Sequence, residues 1–199
     1  MSDNSNSLPI VICGGIGSGK SVVSRILRLR GYGVYDCDSR ARAIMECDAR
    51  LRKFLAGEFG EKVFRADGTL DRAFLASRIF SDAESRRRLN SRVHAAVRAD
   101  IAAWREASPL NLFVESAIPA TSGLLATSSG VWLVEAPVPK RVRRVCRRSA
   151  LTPRQVLERI ESQKGEIDGV LECGLPVTVI DNSGDTPLLP QIAPGDLHG

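Results

Sequence analysis

Aromatic side chains make up only 5% of this 199-residue sequence. Platforms on which bases could stack are therefore scarce, which argues against a protein built to hold single-stranded nucleic acid. Cysteine is sparse too. Cys13, Cys37, Cys47, Cys146 and Cys173 are odd in number and form no C-x-x-C pair. That argues against a disulfide framework or a zinc site, and reduced thiols are expected. The apolar run Ile10–Cys13 is far too short to cross a bilayer, and MSDNSNSLP before it has neither a basic nor an apolar targeting region. A cytoplasmic protein with no membrane partner is expected. The sequence also lacks internal repeats and low-complexity blocks.

What is present is an ordinary globular composition, 43% hydrophobic and 26% charged, with length for one domain and a small lid or insert. The net charge of +5 suits an anionic partner, and nucleotide phosphate, nucleic acid and an acidic surface all qualify. Short apolar runs at 9–13, 34–35, 112–114, 131–134 and 177–180 read as strands. Helical spacing runs from Lys20 to Leu29. It returns in Phe74, Leu75 and Ile79 after Asp71, and again in Leu89, Val93, Ala96, Val97 and Ile101. Thr152-Pro153-Arg154-Gln155 is a capping-box sequence that opens another helix. This alternation predicts an α/β fold with a parallel sheet covered on both faces. The helical block 39–104 is too long for a simple crossover and predicts a substrate-side subdomain. Pro187, Pro190 and Pro194 predict an irregular tail over 185–199.

One motif carries chemistry. Gly14-Gly15-Ile16-Gly17-Ser18-Gly19-Lys20-Ser21 fits G-x-x-x-x-G-K-[ST], with an apolar strand before it and an amphipathic helix after it. Its glycines let backbone N–H groups turn inward around phosphate oxygens, and the helix adds the positive end of its dipole. Lys20 is expected to reach the β and γ phosphates, and the Ser21 hydroxyl to ligate Mg²⁺. The expected ATP site comprises Gly15, Ile16, Gly17, Ser18, Gly19, Lys20, Ser21 and Val22.

Other groups have two readings. Asp36-Cys37-Asp38 ends the second strand; its carboxylates would point the same way on extended backbone and could take a proton from an acceptor hydroxyl, or they cap the next helix. Between Lys140 and Arg148 lies the densest charge run. On a helix, Val138, Val142, Val145 and Cys146 share one face, and Arg141, Arg144 and Arg148 another. The arginines either clamp phosphates in a closing lid or form a solvated or nucleic-acid face. Glu115, after the third strand, orients a metal-bound water or is a loop carboxylate. His94 reads as a core or surface histidine.

Several of these segments resemble the dephospho-coenzyme A kinase family, over about residues 10–184. They are the phosphate loop, the Asp-x-Asp element, Asp67 through Arg72, Arg78-Ile79-Phe80, Leu89-Asn90 to His94, Arg144 and Arg148 with Gln163, and Ile180-Asp181-Asn182-Ser183-Gly184. Departures are Glu115 through Thr121 where the family has a Pro-Leu-Leu element, Ala95 for proline after His94, Ser149-Ala150 for Asp-Gly, and the proline-broken tail. The resemblance implies a P-loop three-layer αβα sandwich within 8–184. Its core is 8–38, 110–137 and 177–184, with a helical acceptor subdomain over about 39–107 and an arginine lid over about 138–165. It implies MgATP and dephospho-coenzyme A as partners, without nucleic acid, in a monomer. Asp38 is then the general base, with Lys20, Arg144 and Arg148 also catalytic. Asn182 joins the ATP site, and Asp36, Arg78, His94 and Glu115 face the acceptor, with Asp36 also in the metal shell. The resemblance matches Arg144 and Arg148 but not Arg141 to lid arginines, so Arg141 serves as the comparison for a solvated face. The alternatives are a kinase of another small acceptor, such as a nucleoside monophosphate, a nucleic-acid binder without catalysis, and a degenerate kinase.

Overall fold

A computed structural model describes residues 8–80 and 82–192. Five strands, β1 (Ile10–Cys13), β2 (Gly33–Asp36), β3 (Asn111–Glu115), β4 (Gly130–Glu135) and β5 (Val177–Asp181), form one sheet in the order β2-β3-β1-β4-β5. All four pairings are parallel, as the alternation of apolar runs and helical periods predicts. The inner strands are buried on both faces, with Val131 through Val134 each at most 6% exposed. β1 lies at the centre, so the loop after it opens at the carboxyl edge of the sheet, where ligands of such sheets bind.

The helices start where local chemistry directs. α1 (Lys20–Leu29) follows Gly19, and buries Val23 and Leu27 against the sheet. Phe113, fully buried, stacks edge-on with Tyr32 at 5.6 Å and tilted against Trp132 at 5.1 Å. α6 (Val138–Arg148), α7 (Pro153–Ser162) and α8 (Lys164–Leu171) follow β4. The Thr152–Gln155 capping box forms as the sequence predicts, with Gln155 N–H donating to Thr152 Oγ1 and Thr152 N–H to Gln155 Oε1.

The chain divides into two compact units, one of residues up to Asp36 and from Arg105 onward, the other Cys37–Trp104. The second is helical: α2 (Cys37–Cys47), α3 (Ala49–Phe59), α4 (Arg72–Phe80) and most of α5 (Ala83–Glu106). Asp48 caps α3 through Leu51 N–H, and Asp71 accepts from Phe74 N–H at the start of α4. Leu89, Val93, Val97 and Ile101 are buried along α5 at the expected period.

Two expectations fail. Asp36-Cys37-Asp38 is not one extended segment, because α2 begins at Cys37. Asp38 therefore sits in a first helical turn, where a carboxylate complements the dipole, and the reasoning from strand alternation does not apply to it. The described part of the tail is also not irregular throughout, residues 185–187 being without regular structure. Leu188–Gln191 form a short helix, α9, and Ile192 after it is fully buried in the sheet core. Pro187 precedes that helix and Pro190 lies within its single turn, where a missing N–H costs nothing. Pro194 lies outside the described residues.

Candidate active site

The loop from Gly14 to Lys20 is wrapped by its own unit. Lys20 Nζ donates to Gly14 O at 2.6 Å, so the ammonium lies back over the loop. Gly17 and Gly19 hold positive φ, 78° and 106°. The backbone of α6 packs so closely that a Cβ on Gly17 would stand 2.7 Å from Arg141 O and 2.9 Å from Val145 Cγ2. Buried Ser18 Oγ has no hydrogen-bond partner among the described residues, and Ser21, in the first turn of α1, is exposed. Val22 is exposed beside it. Cys13 just before the loop is buried, and burial pushes its thiol up to about 12, so it stays protonated and unreactive.

Three side chains from the α6–α8 region reach the loop. Arg141 Nε donates to Ile16 O at 2.9 Å, and its guanidinium lies against Gly15. Arg144 donates to Ser18 O at 3.2 Å and Asn182 O at 2.8 Å. Gln163 Oε1 accepts from Ile16 N–H at 2.7 Å. Arg148, at the end of α6, is exposed. Arg141 is therefore no solvated control. Half-burial lowers its pKa against the opposing pull of Glu135, and its guanidinium sits over the phosphate loop. Asn182, after β5, donates from Nδ2 to Ser18 O at 2.7 Å and packs on Gly19. A cleft of about 690 Å³ beside the loop is lined by Gly15, Ser18, Glu135, Val138, Arg141, Gln163, Asp181 and Ser183.

Asp36 and Glu115 are register partners at the carboxyl ends of β2 and β3. Neighbours in register on parallel strands project to the same side of the sheet, so both side chains leave one face of it. Asp38, Arg78 and His94 belong to the helical unit. Asp38 is exposed on α2, Arg78 lies 5.0 Å over the Phe74 ring on α4, and His94 is half-buried on α5. That unit holds a groove of about 680 Å³ lined by Ala43, Ala95, Ala96 and Ala99 with Arg40, Arg50 and Arg92. Arg40 is fixed by two bonds to Asp100, at 2.9 and 2.7 Å.

A phosphate loop closed over by arginines and a glutamine from the helices after β4 is the arrangement of a phosphoryl-transfer enzyme. The family model for dephospho-CoA kinase matches residues 8–187. The chain belongs to the dephospho-CoA kinase family. The dephospho-CoA kinase of Bacteroides fragilis is 35% identical over 188 residues, covering 94% of this chain and 90% of the relative. That of Corynebacterium glutamicum is 34% identical over 181 residues, covering 89% and 91%. Among solved structures, TT1252 from Thermus thermophilus aligns with a TM-score of 0.74 at 34% identity, covering 94% of this chain and 93% of the other. Dephospho-CoA kinase from Campylobacter jejuni shares the fold, with a TM-score of 0.59 at 18% identity over 94% and 92%.

Two places where the sequence departs from the family's pattern have their own supports. Glu166 on α8 accepts from Ala120 N–H at 3.0 Å, from Thr121 N–H at 3.2 Å and from the Thr121 hydroxyl, fastening the loop after Glu115. Ser149 turns both its N–H and its hydroxyl onto Val145 O, at 3.0 and 2.8 Å, and ends α6. Sequence reasoning placed Arg141 on the arginine face by helical phase but gave it no site role of its own, and it missed Glu166, which carries no local signal.

Proposed function

We propose that this chain transfers the γ-phosphoryl group of ATP to the ribose 3′-hydroxyl of dephospho-coenzyme A, giving coenzyme A and ADP as the last step of coenzyme A synthesis. Family membership across nearly the whole chain supports the acceptor, and the single observation that carries the chemistry is the set of Arg141, Arg144 and Gln163 on the phosphate loop. Lys20 and the loop N–H groups would neutralise the β and γ phosphates. Arg144, with Arg148 swinging in from the end of α6, would meet charge developing on the transferred group. Asp38 is our choice for the base. It takes the 3′-hydroxyl proton while that oxygen attacks phosphorus in line and the bond to the ADP oxygen breaks. Arg78, His94 and Glu115 would serve the acceptor. The groove of the helical unit, lined by both alanines and arginines, suits a slender arm ending in phosphates.

The donor set also suits Mg²⁺. The exposed Ser21 hydroxyl and the Asp36 and Glu115 carboxylates are hard oxygen ligands, and this ion binds through few protein oxygens plus phosphates and water. Ser21 and Asp36 would hold the ion beside the nucleotide, and bound there it would withdraw negative charge from the phosphate oxygens. We further read the protein as a cytoplasmic monomer acting on small molecules without nucleic acid. No helix among the described residues is long and apolar enough to cross a membrane. Two arginines of the basic run are spent on the phosphate loop, which leaves less of it as an open face for a polyanion.

The test is ADP release from MgATP with dephospho-coenzyme A beside a panel of nucleoside monophosphates, with the product's phosphate located by ³¹P and ¹H NMR. Turnover of a nucleoside monophosphate in preference to dephospho-coenzyme A would sink this reading.

A further inference from the structure

The segment 185–192 is tied to the sheet by a contact that does more than bury Ile192. Asp181 ends β5, an edge strand. The neighbouring residue Asn182 donates its N–H inward, to Glu135 O at 2.8 Å. The N–H and C=O of Asp181 face the open edge, and the carboxamide of Gln191 meets both. Gln191 Oε1 accepts from Asp181 N–H at 2.7 Å, and Nε2 donates to Asp181 O at 3.0 Å. Nε2 also donates to Pro187 O at 3.0 Å. One side chain thus supplies the pair of bonds that a further strand would supply, at one residue only.

The two residues after Asp181 give that pair a consequence. Asn182 carries Ser18 O of the phosphate loop on its carboxamide and Arg144 on its carbonyl. Ser183 O accepts from Lys140 Nζ, and Ser183 N–H and hydroxyl both bond the Asp181 carboxylate, at 2.8 and 2.9 Å. The corner 181–183 therefore joins the phosphate loop to α6, and Gln191 fixes the direction in which the chain enters it. Arg30 holds the same segment elsewhere, donating to Leu189 O at 3.2 Å and to Ile192 O, without touching the corner.

We propose that Gln191 is a positioning residue for nucleotide binding: its carboxamide locks Asp181 so that Asn182 can brace the phosphate loop and Arg144. This rests on the kinase reading above for the nucleotide, but not for the acceptor. The Gln191→Met enzyme keeps the shape of the side chain and loses three hydrogen bonds. MgATP affinity, titrated calorimetrically without acceptor, falls about tenfold, as does kcat/KM for ATP, while KM for dephospho-coenzyme A and kcat stay within about twofold. Arg30→Ala lowers Tm and leaves MgATP affinity unchanged. Gln191→Glu keeps an acceptor for Asp181 N–H but turns a second oxygen onto Asp181 O and Pro187 O, so it loses at least as much MgATP affinity as the Met variant; it also stands in should the Met variant fail to fold. If Gln191→Met or Gln191→Glu lowers Tm and leaves MgATP affinity unchanged, the side chain only staples the segment and the proposal is wrong. An intact loss of MgATP affinity alongside turnover of some other acceptor would overturn the acceptor assignment and leave this inference standing.

Discussion

Replacing Arg141 by alanine separates a lid that acts on the phosphate loop from a merely basic helix. Helical phase puts Arg141, Arg144 and Arg148 on one face, but the fold uses them differently: Arg141 bonds Ile16 O, Arg144 bonds Ser18 O and Asn182 O, and Arg148 is exposed. A hydrogen bond from a charged group is worth about 1.5–3 kcal/mol. At 1.36 kcal/mol per decade, Arg141→Ala should lower kcat/KM for ATP by roughly 10- to 150-fold. The same loss is expected if the guanidinium leaves Ile16 O for a phosphate oxygen once nucleotide enters, because either bond goes with the side chain. The comparison is Arg143→Ala, an exposed neighbour on the same helix, which should stay within about twofold, since surface substitutions are usually within ±0.5 kcal/mol. Initial rates of ADP release at varied ATP and saturating dephospho-coenzyme A give both numbers. Equal, small effects at 141 and 143 would refute the reasoning and return the basic run to a solvated face.

Lys20→Ala should reduce turnover by orders of magnitude with a normal Tm; near-normal activity would remove this loop from the chemistry. Asp38→Asn should lose about 10²- to 10⁴-fold in turnover with MgATP affinity kept, while Asp36→Asn should raise the Mg²⁺ needed for half-maximal rate; the reverse pattern inverts the two roles. Gly17→Ala meets a φ of 78° and the α6 backbone at 2.7 Å, so it should destabilise by about 2 kcal/mol or more in urea titration, and an unchanged midpoint would mean α6 does not pack there in solution. Hydrogen bonds from Phe74 N–H to Asp71 and from the Ser85 hydroxyl to Asp82 hold both carboxyls below their usual 3.8. Their stabilisation is full above that value and is lost as pH falls through the lower folded values, so amide protection at the starts of α4 and α5 should drop in that acid range; protection flat with pH down to complete unfolding would contradict it.

What could be read from the sequence was what neighbours decide. The strand, glycine loop and helix from Ile10 to Leu29 are one local signal, and so are the Thr152 box and the cap at Asp71, because each needs partners only a few residues away. Asp36-Cys37-Asp38 stayed open at a boundary: it allowed an extended pair or a cap of the next helix, strand alternation ends at Asp36, and nothing in the tripeptide gives the residue at which the helix starts. The tail misled for a related reason. Proline is a breaker inside a helix and a neutral residue in its first turn, so Pro187 and Pro190 did not forbid α9. Neither alters the reading of the phosphate loop.

The parts that decide how the site closes were hidden for a different reason. Arg141 meets Ile16 across 125 residues, Gln163 meets Ile16 across 147, and Asn182 meets Ser18 across 164. A helical period gives the phase of Arg141 but not the surface that phase will face. That surface is set by β1 lying beside β4 in the sheet, a pairing no local pattern contains. Once the pairing exists, α6 starts within reach of the phosphate loop, and Gly17 is the residue that lets the helix come close enough for a guanidinium to touch a loop carbonyl. The glycine at the third variable position of the phosphate motif and the arginine three residues ahead of Arg144 are therefore one device, divided between two distant segments. A family member that replaced that glycine with a bulkier residue should have to give up the arginine contact as well. The double variant Gly17→Ala/Arg141→Ala tests this: its loss in kcat/KM for ATP should fall short of the product of the single losses, and strictly multiplicative losses would show the two residues to act independently.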